Sequence, residues 1–269
     1  MDTFEFDYVI VGAGSAGCVL ANRLSEDGKF TVALLESGGS DARFWVKVPL
    51  GYAINVGNPK LNWGYRTEAD EGLNARSISW PRGRVIGGSS SINAMTYIRG
   101  LSQDFDDWSQ AGASGWHWDN VRAVFDRMET HSELTPTGRS TRGTGPVWVS
   151  DLSDRMLPFS DTFLNASRDV GYEVVDDLNA EGAEGIGYYR STVRGGFRWS
   201  AADAFLRSAK RRQNLAIIRD ADVTRLTVAG GKVTGAAFVR GKQSRQITAR
   251  KEVILCAGAI NSPKLLQLS

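Results

Sequence analysis

Short apolar runs with strand character and longer stripes with helical spacing alternate along the chain, and glycine clusters mark the changes of period. The first run, 7–11, leads into Gly12-Ala-Gly14-Ser15-Ala16-Gly17; a helical stretch follows, and a second run over 31–35 closes on Glu36. Unbroken apolar runs bounded by glycine predict strands buried on both faces, as in parallel sheets. Trp118, Val121, Phe125 and Met128 recur at helical spacing over 118–129, and Phe159, Phe163 and Val170 do so over 158–170 ahead of Gly171. Both stripes predict amphipathic helices facing a core. Ser200 with Asp203 predicts a capping box that opens a helix through Phe205 and Leu206. Short strands are predicted over 215–218, 223–228, 233–239 and 245–248, with Gly230-Gly231 and Gly241 turning hairpins, before an apolar run over 252–256 that ends in Ala257-Gly258. Residues 44–80 show no period; Trp45, Tyr52, Trp63 and Tyr65 lie there among Gly, Asn and Pro, as in a long irregular lid.

The glycine loop carries the first chemistry. Between a strand and a helix, Gly12 allows a tight turn, Gly14 lets backbone approach a pyrophosphate, and Gly17 lets the helix pack on the sheet. The helix N-terminus offers free N–H groups to phosphate, and Glu36 stands about 20 residues on, where a carboxylate accepts from ribose hydroxyls. Nicotinamide dehydrogenases continue alternating strand and helix after such a loop, whereas here the alternation stops after Leu35 and a meander follows. That favours FAD over NAD. The expected class is α/β (α+β overall), a Rossmann-like FAD-binding domain with a three-stranded meander plus part of a substrate and lid domain. Residues 1–45, 81–105 and 206–269 are assigned to the first, and 46–80 and 106–205 to the second.

Composition narrows the class. The 269 residues are 42% hydrophobic and 23% charged, enough to bury a sizeable core. A net charge of +2, with no basic run longer than Lys210-Arg211-Arg212, gives no footprint for nucleic acid. Cys18 and Cys256 stand alone, far apart in sequence, and are expected to be reduced thiols in a cytoplasmic protein. The start, with Asp2, Glu5 and Asp7, lacks the basic and apolar regions of a signal peptide, and no apolar stretch is long enough to cross a bilayer. Peripheral membrane association stays open.

Two longer motifs remain. Gly83-Arg84-Val85-Ile86-Gly87-Gly88-Ser89-Ser90-Ser91-Ile92-Asn93-Ala94-Met95-Thr96-Tyr97-Ile98-Arg99-Gly100, followed by Asp106, resembles the first signature of the glucose–methanol–choline (GMC) flavoprotein oxidoreductases. Gly258-Ala259-Ile260-Asn261-Ser262-Pro263-Lys264-Leu265-Leu266-Gln267-Leu268-Ser269 resembles the start of the second. The resemblance covers essentially the whole chain and is greatest to bacterial choline and aliphatic alcohol dehydrogenases. It implies that Asn93, Ala94, Met95 and Thr96 run beside the reactive edge of the flavin, that Val223 addresses adenine through its backbone, and that Ala257 and Gly258 approach from the returning strand. Read without it, 87–91 is a run of small residues that lets amides approach a flat ring, Val223 is also an ordinary strand residue, and Ala257-Gly258 is also an ordinary turn. Ser37, Trp63, Arg84, Val85, Gly87, Gly88 and Ser89 complete the candidate cofactor set.

Some relatives attach FAD through a histidine just before the signature asparagine; Ile92 stands there, so a non-covalent flavin is expected. The implied function is oxidation of the CH–OH group of a small-molecule alcohol by hydride transfer to flavin N5, with oxygen or another electron acceptor reoxidising the flavin. Alternatives are a nicotinamide-dependent dehydrogenase, a non-redox member of the family (lyase or decarboxylase), and a non-catalytic binding module. The resemblance places the catalytic histidine in a C-terminal part beyond Ser269. Neither His117 nor His131 matches its motif, and both are read as caps or surface groups near helix ends. No metal site is expected. The chain is therefore expected to act with a C-terminal fragment of the same enzyme, and alone to aggregate or hold FAD weakly without turnover.

Overall fold

The computed structural model describes residues 3–269, so Asp2 lies outside the described residues. Two compact units emerge, one from Met1–Ala94 with Phe197–Ser269, the other from Met95–Gly196.

The first unit is built on a six-stranded sheet. Its elements are β1 (Thr3–Val11), α1 (Ser15–Leu24), β2 (Val32–Glu36), α2 (Phe44–Lys47), α3 (Tyr52–Val56), β3 (Leu215–Arg219), β4 (Ala221–Ala229), β5 (Lys232–Arg240), β6 (Gln243–Leu255) and α4 (Gly258–Leu268), and the strand order is β3-β2-β1-β6-β5-β4. The four strands β3, β2, β1 and β6 pair in parallel; β5 and β4 continue antiparallel. All five residues of β2 are buried: Val32, Ala33, Leu34 and Leu35 match the predicted apolar run, and Glu36 closes it. Val9, Val11, Ala33 and Leu35 from the parallel strands join Leu226, Phe238 and Ile247 from the meander in one core cluster with Leu265 of α4.

Three expectations change. The runs over 245–248 and 252–256 are a single 13-residue strand, β6. Its first half pairs with β5 and nearly its whole length with β1, so it is at once the last strand of the meander and the returning strand. Arg250 and Lys251, polar enough to read as a break, fall where the register with β1 shifts between Phe6 and Tyr8. The Arg250 guanidinium donates there to Asp7 (3.1 Å), Glu5 (3.2 Å) and Thr31 (2.9 Å). Second, the 44–80 segment is not wholly irregular. It holds α2, α3 and a ladder of Tyr65–Arg66 with Ser79–Trp80, and Val46 and Leu61 are buried in a cluster with Val85 and Ile92. That cluster ties 46–80 into the first unit rather than into a separate lid domain; residues 197–205 fall there too, and 95–105 fall in the second unit. Third, the helix opened by Ser200 and Asp203 has its capping box, with Ser200 N–H donating to Asp203 Oδ2 (3.1 Å) and Asp203 N–H to Ser200 Oγ (3.3 Å). Its body, Ala202–Leu206, is a π-helical turn.

The second unit carries a five-stranded sheet in the order Thr96–Tyr97, Arg190–Ser191, Val147–Ser150, Glu129–Thr135, Gly138–Gly143. The predicted helix is present as Trp118–Met128, its Trp118 buried against Phe105 with ring centroids 5.5 Å apart. The other, Pro158–Asp169, is a helix, but Phe159, Phe163 and Val170 are exposed rather than core-facing.

Candidate functional site

A cleft of about 650 Å³ opens at the carboxyl ends of β1, β2 and β6, where Val11, Leu35 and Leu255 lead into its walls. The carboxyl edge of a parallel sheet is where such folds bind nucleotides. Two helices begin in this cleft. Gly14, Ser15 and Ala16 open α1, Gly258, Ala259 and Ile260 open α4, and all six line it. Neither helix has a capping side-chain bond or an acidic residue in its first turn. Their N–H groups and dipoles thus favour an anion from two directions. The second helix starts at Gly258, directly after the returning strand, so its first turn faces the cleft.

The glycines divide into two kinds. A Cβ on Gly12 would lie 2.5 Å from the Cys256 carbonyl oxygen, one on Gly17 1.9 Å from that of Gly12, and one on Gly88 2.7 Å from Gly14 Cα. These three are closed by protein backbone, and Gly12 also carries φ +102°. A Cβ on Gly14 would meet only the Cys256 carbonyl oxygen at 4.0 Å, and one on Gly258 nothing. Protein leaves the space at these two cleft-lining positions open. The small-residue belt docks on the first loop, Gly87 N–H donating to Ala13 O at 2.7 Å, so two motifs over 70 residues apart form one wall.

Glu36 is 6% exposed and lines the cleft. Its carboxylate accepts from Ala13 N–H (2.9 Å) and Gly38 N–H (2.8 Å), which fixes both oxygens while leaving each a further lone pair. Burial pushes its carboxyl up to about 7, against those two backbone bonds. Next to it Ser37 Oγ donates to Asp222 Oδ1 at 2.8 Å, and Val223 adjoins on the same wall. Opposite, Trp63 and Tyr65 stack with centroids 5.9 Å apart and planes at 7°, and the Arg84 guanidinium sits 4.8 Å over Trp63. Tyr65 Oη donates to Asn261 Oδ1 of α4 at 2.7 Å, joining the two walls.

Of the candidate cofactor residues, Gly12, Gly14, Ser15, Ala16, Glu36, Ser37, Trp63, Gly88, Ser89, Val223, Ala257 and Gly258 line this cleft. Gly17, Val85 and Gly87 are buried behind the wall, and Arg84 braces Trp63. Asn93 and Ala94 lie outside the lining, and Met95 and Thr96 belong to the second unit. Sequence reasoning missed Tyr65, Arg82, Asp222, Asn261 and Lys264, which also line it. Tyr65 was legible as the same-face neighbour of Trp63 two residues on, and Asp222 as the neighbour of Val223. It also missed Arg198, among the largest fully buried side chains.

Neither histidine reaches the cleft. His117 stands exposed at the N-cap position of Trp118–Met128 without a capping side-chain bond, its Nε2 3.5 Å from Asp106. His131 is not a surface group: it is buried in a strand, Nε2 2.5 Å from Glu129, which also bonds Tyr97 and Arg99. The Cys18 thiol, buried, donates to Ala13 O at 3.3 Å, and desolvation pushes its pKa far up; Cys256 is half-buried and shifted upward for the same reason. Among the described residues no helix is long and apolar enough to cross a membrane.

Residues 6–269 match the family model described as GMC oxidoreductase. The chain belongs to the GMC oxidoreductase family. An alcohol dehydrogenase [acceptor] of Pseudomonas putida is 43% identical over 98% of the chain and 48% of its own length. An oxygen-dependent choline dehydrogenase of Rhizobium etli has the same identity and coverage. Among solved GMC-like folds, pyridoxine 4-oxidase from Mesorbium loti superposes with TM-score 0.89 at 37% identity, covering 97% of this chain and 51% of that one. An Aspergillus oryzae formate oxidase, solved to follow the effect of a mutation on FAD modification, gives TM-score 0.89 at 28% identity over 100% of this chain and 48% of that one. The chain thus spans about half the length of the curated relatives it matches.

Proposed function

We propose that this chain is the cofactor-binding part of an FAD-dependent oxidoreductase that removes hydride from the CH–OH carbon of a small alcohol. The observation that carries this is the cleft itself: two uncapped helix N-termini, a buried carboxylate with lone pairs to spare and two glycines with open Cβ positions share one space. Its volume lies within the range of cofactor sites. When bound, FAD supplies a hydride acceptor at its flavin N5.

The residues of the chain have distinct tasks. First-turn amides of α1 hold the pyrophosphate; Glu36 accepts from ribose hydroxyls, and Val223 borders the adenine. The wall at Gly88 and Ser89 gives a flat ring a surface of small residues, and the second helix N-terminus favours negative charge on that ring. Ile92 is 3% exposed in an apolar cluster and has no nucleophile, so the flavin is held without a covalent bond. The hydroxyl proton needs a base, and neither histidine lines the cleft. We place that base in the part of the enzyme that relatives carry beyond the matched region, on the same or a second polypeptide. Reduced thiols at Cys18 and Cys256 suit a cytoplasmic setting. Oxygen or another acceptor completes the cycle.

Anaerobic addition of alcohols to the flavin-loaded complete enzyme, this chain together with the part that supplies the base, tests this. Bleaching of flavin absorbance with one of a panel of alcohols is expected; no bleaching with any would favour a lyase or decarboxylase of the same family. Acid precipitation should release unmodified FAD into the supernatant, and flavin retained in the pellet would contradict the role given to Ile92.

A further inference from the structure

Arg198 is 1% exposed, and none of its side-chain hydrogen bonds goes to a carboxylate. Nε donates to Val46 O (2.9 Å), and one terminal nitrogen donates to Ser90 O (3.1 Å) and Asn93 Oδ1 (2.7 Å). The other terminal nitrogen is buried with no partner. Burying a guanidinium against neutral oxygens alone is costly, and apolar packing of equal volume would hold these segments more cheaply. The acid whose charge acts on it, Asp203, is engaged by Lys47 at 2.7 Å and by Ser200. Burial lowers the Arg198 pKa to about 10, so it stays charged at neutral pH.

Where the charge sits explains why it is kept. Ser90 follows Ser89, which lines the cleft, so Arg198 grips the wall one residue behind its surface. The same Ser90 accepts from Ala201 N–H through its hydroxyl (3.0 Å) and donates to Gly87 O (2.6 Å), so the wall is braced on both sides. With Oδ1 of Asn93 engaged by a cation, the orientation of that amide is fixed as well.

We propose that Arg198 is a positioning residue for the cofactor cleft, locking the 88–93 wall and holding a positive charge behind it that favours the reduced form of a bound flavin. This rests on the FAD reading above. Hydride uptake adds negative charge to the ring, and a fixed cation in a low-dielectric wall stabilises that charge. A residue that only braced the wall would change flavin affinity and stability without changing the balance between oxidised and reduced flavin.

The test is the midpoint potential of the flavin-loaded full chain, measured by spectroelectrochemistry for wild type, Arg198→Met, Arg198→Lys and Asn93→Asp. Arg198→Met removes the charge. Asn93→Asp keeps Arg198 and its bond but neutralises it with a carboxylate, so it reports even where Arg198→Met fails to fold. Both are expected to shift the oxidised-to-reduced equilibrium at least tenfold toward oxidised flavin, about 30 mV for a two-electron couple. Arg198→Lys should stay near wild type. An unchanged potential in Asn93→Asp overturns the proposal while leaving the FAD reading intact; a wild-type chain that takes up no FAD overturns both.

Discussion

At Glu36 the balance between burial and hydrogen bonding makes cofactor affinity depend on pH. Its folded pKa is raised, to about 7, above the ordinary 4.5. In the ligand-free protein its contribution to stability is therefore present below the ordinary value and lost as pH rises toward 7. Ribose hydroxyls donate to the ionised carboxylate, so FAD affinity should rise between about pH 6 and about pH 8. Fluorescence titration at each pH reads the slope, and Glu36→Gln should flatten it and weaken binding by about 1.5–3 kcal/mol. Gly17→Ala should act on the protein instead. Its Cβ would press on Gly12 O at 1.9 Å, costing about 1–3 kcal/mol or more in a denaturant titration. The three glycines and Glu36 were legible because their backbone demands are local. Arg198 was not, since its three partners come from segments over 100 residues away in sequence.

Elements were legible where one period and one set of partners governed them. β2 is buried on both faces and reads as apolar up to its final Glu36; Trp118–Met128 keeps its stripe because Phe105 lies under Trp118. β6 read as two strands because Arg250 and Lys251 interrupt the apolar pattern, yet a guanidinium satisfied by Glu5, Asp7 and Thr31 lets the strand run on through a bulge. The strand Glu129–Thr135 was hidden for a different reason: Glu129 and His131 are buried polar residues that bond one another, which no hydrophobic pattern reports. Joining the meander to the parallel strands makes Phe238, 1% exposed, a shared core residue. Phe238→Ala should cost about 3–5 kcal/mol, read as a lower denaturant midpoint.

At the scale of the molecule, both units leave large apolar side chains uncovered. Phe44, Leu50 and Leu266 are exposed in the first, and Leu157, Phe159, Phe163 and Val170 in the second, Phe163 by 56%. Contiguous exposed apolar side chains drive association. The 269-residue chain by itself should self-associate and bind a hydrophobic dye, and Phe159→Ser with Phe163→Ser should reduce both, as light scattering and dye fluorescence would show. Domain boundaries were the least legible feature, because the burial of Val46 and Leu61 that assigns 46–80 to the first unit depends on Val85 and Ile92 beyond that segment. The most direct measurement is FAD binding by equilibrium dialysis to the full chain and to Gly14→Ala, a substitution with room in the protein but none beside a pyrophosphate. One FAD per wild-type chain is expected, with affinity at least about tenfold weaker in the variant at an unchanged melting temperature. No binding to wild type, or binding indifferent to the added methyl group, would contradict the cleft as the cofactor site.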